Sequence, residues 1–75
     1  MTVTFWNKEK NEPYQIIFVE SITVGYRQNK MVHELQFPGR QSNIPHEQLY
    51  WIVKARGDKP LELPMSNFEL EKVEE

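Results

Sequence analysis

The sequence predicts a small all-β domain: five or six short antiparallel strands in a meander, rolled into a barrel or sandwich. Two observations carry this. Apolar and polar residues alternate with period two in several short runs, as in strands with one buried face. The runs are separated by turn-forming clusters at Asn7–Pro13, Pro38–Asn43, Arg56–Lys59 and Pro64–Asn67. Seventy-five residues bound the answer to one domain. A core of this size rarely supplies more than about 3–5 kcal/mol. The chain contains no cysteine, so neither a disulfide nor a thiolate metal site can add to that. Self-association is therefore an expected route to further stability.

Thr2 to Trp6 reads as a first strand, with Val3 and Phe5 on one face. The polar loop from Asn7 ends at Pro13, whose missing N–H suits a strand entry. Tyr14 to Val19 follows, with Tyr14, Ile16 and Phe18 on one side and Ile17 and Val19 on the other. Apolar residues on both faces predict a strand covered on both sides. Glu20-Ser21 then marks a bulge or bend.

The centre of the chain, Ile16 to Phe37, reads as a β-hairpin. A loop centred on Gln28 and Asn29 pairs Tyr26 with Met31, Val24 with His33, Ile22 with Leu35 and Glu20 with Phe37. Turn and pattern agree there, since a one-residue slip would turn every apolar group outward.

Residues 45–55 support two readings. Ser42 or Asn43 as N-cap, Pro45, Leu49, Ile52 and Val53, with Gly57 beyond, form a helix script. Against it, Leu49 to Val53 is almost all β-formers, and Arg56-Gly57-Asp58-Lys59 suits a hairpin loop leading to Leu61 and Leu63. A helical turn at residues 45–48 entering a strand satisfies both. Phe68 to Val73 alternates as a last strand, although Ser66-x-x-Glu69 is also a capping box able to open a short helix. Glu74 and Glu75 are expected to fray.

The opening Thr2-Val3-Thr4-Phe5, and the close from Pro60 to Val73 in which an apolar strand, a proline and an acidic alternating strand follow one another, carry a resemblance. On these residues the chain resembles a loose group of short uncharacterised β-meander proteins of Gram-positive bacteria and their phages. The resemblance implies a meander fold and transfers no active residues.

Composition narrows the function. Residues 1–61 carry eight basic and six acidic groups, and the acidic tail at residues 62–75 carries one basic and five, for a net −2. That is far from the positive balance of a dedicated nucleic-acid binder. The first residues lack the basic and apolar regions of a signal peptide, and the longest apolar run is Ile16-Ile17-Phe18-Val19, so a cytoplasmic protein away from membranes is expected. His33 and His46 lack metal-ligand spacing, with His33 expected opposite Val24 and partly buried. Ser21, Ser42 and Ser66 occupy bend or cap contexts, and Gly25, Gly39 and Gly57 form no phosphate loop. Small size leaves little room for a concave pocket of a few hundred Å³. Arg56-Gly57-Asp58, the tripeptide that integrins read, is here a hairpin tip. No enzyme activity, cofactor or metal is expected.

Two surfaces remain. Trp6, Tyr14, Ile17, Val19, Trp51 and Met65 cannot all be interior in so thin a domain, and Trp6, Tyr14, Ile17, Trp51 and Met65 form the candidate interaction face for an unidentified protein partner or a second copy. If the strands run up and down in order, the loops at 27–30 and 55–59 share one end of the sheet. That would gather Arg27, Lys30, Lys54, Arg56 and Lys59 near aromatics, the ingredients of a weak single-strand nucleic-acid binder. Charged tips that merely keep a β protein soluble supply the alternative account.

Overall fold

Seven antiparallel strands in two sheets, with one 3-10 turn, make up the described part of the chain. The computed structural model describes residues 1–35 and 44–75. The first sheet holds β1 (Thr2–Asn7), β2 (Glu12–Ile16) and β7 (Phe68–Glu74), in the order β2-β1-β7. The second holds β3 (Val19–Gln28), β4 (Met31–Glu34), β5 (Leu49–Ala55) and β6 (Leu61–Pro64), in the order β4-β3-β5-β6. The all-β class expected from the alternation is present. Both open readings also resolve to strand: β5 follows a 3-10 turn at His46–Gln48, and β7 replaces the helix that Ser66 and Glu69 could have capped.

Strand order departs from a sequential ribbon at two places. β7 returns to pair with β1, and β5 takes the edge of β3 that β4 leaves free. Both β4 and β5 run antiparallel to β3, so they are parallel to each other.

The two sheets meet through Val3 and Phe5 of β1, Val19 of β3, Val53 of β5 and Leu63 of β6, all buried. Cross-strand partners share a face, so Tyr14 opposite Phe5, and Leu70 opposite Phe5 on the other side, also point toward this core. Tyr14, Phe68, Phe5 and Trp51 form a chain of rings with successive centroids 5.6, 6.4 and 5.8 Å apart. The Phe5–Phe68 pair is edge-on at 86°, the arrangement favoured by the ring quadrupoles. The Trp51 indole N–H donates to the Phe68 carbonyl at 3.0 Å, tying one sheet to the other.

The central hairpin has a different register from the one expected. Gln28 pairs with Met31, Arg27 with Val32 and Tyr26 with His33, closing on a two-residue turn at Asn29-Lys30. Asn29 lies at φ 59°, and asparagine tolerates the left-handed region that so tight a turn needs. Val24 therefore faces Leu35, whose N–H donates to the Val24 carbonyl at 2.8 Å, and His33 stands exposed beside Tyr26. The expected pairing of Glu20 with Phe37, the turn at 38–43 and the caps Ser42 and Asn43 lie outside the described residues.

The hairpin also does not begin at Ile16. That residue ends β2, and the chain bends at Phe18, which sits at φ 57°. For a bulky residue this is costly, of order 1–3 kcal/mol. Its neighbours hold it there. The Val19 N–H donates to the Met1 carbonyl at 2.8 Å, the Met1 amino group donates to the Val19 carbonyl at 3.0 Å, and the Arg56 N–H donates to the Phe18 carbonyl at 2.9 Å. The chain thus changes sheets at a bent corner, and Glu20 is the bulged residue just beyond it. Bending turns Ile17 and Phe18 outward, 55 % and 67 % exposed, so the segment expected to be covered on both sides is open instead. Asparagine at position 18 should relieve strain without giving up much buried area. Phe18→Asn is expected to leave stability unchanged or raise it by up to about 1 kcal/mol in urea titration. A loss of stability would show that the ring supports the fold.

Among the described residues every edge strand carries a proline or a carboxylate. β2 has Glu12 and Pro13, β7 has Glu69, Glu71 and Glu74, β4 has Glu34, and β6 has Glu62 and Pro64. Such residues discourage a further strand from adding.

Candidate interaction surfaces

The candidate apolar face divides. Trp6 pairs with Pro13 and Glu69 on the outer face of the first sheet, away from Phe5 and Tyr14. Ile17 belongs to the exposed corner. Trp51, Met65 and, through its stacking on Phe68, Tyr14 stay together on the core side. Strand alternation separates them: Trp6 is one residue past Phe5 and must face the other way.

Trp51 and Met65 line an open groove of about 470 Å³, with Phe68 and Leu70 completing the apolar lining and Lys8, His46 and Glu69 the polar part. A groove of this size is larger than expected of so short a chain. It exists because the end of β1 and the two turns beside it form a wall of their own. Asn67 builds that wall. Its side-chain oxygen accepts from the Glu9 N–H at 2.9 Å, its amide donates to Asn7 Oδ1 at 3.2 Å, and its carbonyl accepts from the Lys8 N–H at 2.9 Å. Asn7 Oδ1 also accepts from the Lys10 N–H at 3.2 Å. The other side is fixed where the Met65 N–H donates to the Leu49 carbonyl at 3.0 Å. Lys8, His46, Phe68 and Leu70 escaped sequence reasoning because the turns at 8–11 and 65–67 meet only in three dimensions. Asn67→Ala removes two side-chain hydrogen bonds and is expected to cost about 1–2 kcal/mol in urea titration. An unchanged midpoint would mean that the wall stands without them.

The expected basic end does not form. In the β3–β5 register Tyr26 faces Leu49 while Val19 faces Ala55. The Asn29-Lys30 turn and the turn after Ala55 therefore lie at opposite ends of β3. Arg27 and Lys30 occupy one end, where Arg27 Nη1 donates to the Tyr50 hydroxyl at 3.3 Å. Lys54, Arg56 and Lys59 occupy the other, beside Asp58 and the bulged Glu20. The expectation assumed strands in sequential order, and the placement of β5 against β3 reverses it. Gly57 at φ 81° makes the tip of the second turn.

Among the described residues no three His, Cys, Asp or Glu side chains are placed to hold a metal ion. No helix among them is long and apolar enough to cross a membrane. No protein family, curated protein or solved structure matches the chain.

Proposed function

We propose that this protein is a non-catalytic interaction module that receives an apolar side chain of a protein partner in the Trp51–Met65–Phe68–Leu70 groove. The groove itself is the observation that carries the reading: an open apolar surface with a cation and an imidazole beside it. Interfaces are built on such aromatic- and methionine-rich centres ringed by polar groups. The guarded sheet edges support it too, because they leave side-chain docking rather than strand addition as the mode of contact. The absence of cysteine suits a reducing compartment, and with it the cytoplasm.

A photo-crosslinking residue placed at Met65, expressed in the cell of origin, tests this. The expected result is one or a few discrete protein adducts that are missing when the same residue replaces Gln15, which lies on the outer face of the first sheet. Equal labelling from both positions, or none from Met65, overturns the reading.

A further inference from the structure

The β1–β2 hairpin is joined to the rest of the chain by Ile17 and Phe18 alone, and we propose that this connector is a hinge through which two copies exchange their hairpins. The exchange is driven by strain at Phe18 and is independent of what the groove binds.

The closed corner asks for a backbone that its residues resist. Phe18 sits at φ 57°, a left-handed position in which a bulky side chain is disfavoured. Ile16, Ile17, Phe18 and Val19 are all β-branched or aromatic, types that favour extended backbone. Local preference and closed geometry conflict at this one point, and straightening the connector removes the conflict. The bend also leaves Ile17 and Phe18 exposed to water. Short connectors under strain are the ones through which terminal elements swap.

Straightening gives up little, because a second copy supplies the same partners. In the closed chain β1 lies between β2 and β7, Val3 and Phe5 enter the common core, and Met1 shares two backbone hydrogen bonds with Val19. β2 travels with β1, since the two pair with each other. Every contact from β1 to β7, to the core and to Val19 is remade on the other copy. The bond from the Arg56 N–H to the Phe18 carbonyl at 2.9 Å belongs to the bend itself and is lost. In the resulting dimer the two connectors run antiparallel across the twofold axis, where Ile17 and Phe18 of one copy meet those of the other. Each groove then takes Lys8 from one chain and Trp51, Met65, Phe68 and Leu70 from its partner, so the interaction site becomes composite.

Concentration sets the balance. A flexibly tethered element meets its own chain at an effective concentration of about 1 mM, and strain in the tether lowers that value, so exchange competes as the protein approaches it.

The absence of cysteine allows the origin of each strand to be read directly. Thr4 of β1 and Lys72 of β7 are cross-strand partners, within reach of a disulfide. The Thr4→Cys/Lys72→Cys chain is refolded from urea at about 1 mM, and its dimer fraction is isolated by size exclusion and then oxidised. On a denaturing, non-reducing gel that fraction should run as a covalent dimer. The dimer fraction of Thr4→Cys/Gln15→Cys, whose partners lie within one hairpin, should run as monomer. With no cysteine introduced, the ratio of dimer to monomer should fall about tenfold or more in Phe18→Asn, which accepts the bend, and rise by as much in Phe18→Val, which resists it. Should Phe18→Val fail to fold, the fall from the unmodified chain to Phe18→Asn carries the test. No dimer from the unmodified chain, disulfides confined within single chains of the Thr4→Cys/Lys72→Cys dimer, or an unchanged ratio in Phe18→Asn overturns the proposal.

Discussion

Phe5→Ala is expected to unfold the protein at room temperature. Phe5 is fully buried in β1, with Trp51 at 5.8 Å and Phe68 at 6.4 Å between ring centroids. Truncation removes the ring that links the two sheets and leaves a void the remaining rings cannot close. Losses for Phe→Ala in cores run about 3–5 kcal/mol. A domain of this size holds about that much in total. The loss therefore consumes the whole margin. Circular dichroism without denaturant should show a disordered chain, and Phe5→Leu should remain folded with a lowered urea midpoint. A cooperative transition retained by Phe5→Ala at near the original midpoint would mean that the core lies elsewhere.

Gly25→Ala is the second large effect, and it works by excess rather than loss. Gly25 lies in β3, with Tyr50 and Glu34 as its cross-strand partners. A methyl group there would stand 2.5 Å from Ile52 Cδ1, 2.8 Å from the His33 carbonyl oxygen and 3.0 Å from Val32 Cγ1. The side chains can shift, but the His33 carbonyl is backbone of the neighbouring strand. Overpacking of this kind costs about 1–3 kcal/mol. Ile52→Val removes the Cδ1 contact, so the double variant Gly25→Ala/Ile52→Val should lose less than the two single variants together, by about 0.5 kcal/mol or more. Strict additivity in urea titration would show that Ile52 and position 25 do not compete for space.

Ile52 also shows where sequence reading is strong and where it stops. Alternation places Ile22 and Val24 on one face of β3, with Val53 and Trp51 opposite them. Ile52 is buried on the other face, where Gly25 leaves room for it. That was invisible because a glycine's neighbours belong to other strands. The hairpin register fails for a related reason. Pairing Tyr26 with Met31 or with His33 differs by two residues, and a two-residue slip leaves every side chain on its original face. Period-two alternation cannot distinguish the registers; the turn decides, and Asn29 permits the tighter one. The corner at Phe18 was hidden by its own composition, since Ile16-Ile17-Phe18-Val19 looks like an uninterrupted buried strand. Tail-to-head pairing of β7 with β1 left no local signal. Once β5 lies beside β3 rather than β4, the cations of the two turns are pulled apart. The groove appears where the Asn67 turn meets the loop after β1. Trp51 and Met65 were legible as interface residues by type, while their assembly depended on that long-range meeting.

The carboxylates and prolines along all four sheet borders have a consequence for concentrated solutions. Material that gathers at high protein load should not convert to amyloid, because no border among the described residues offers a clean template for backbone recruitment. Assemblies should leave thioflavin dark, disperse on dilution and respond to ionic strength, as expected of particles joined by side chains alone.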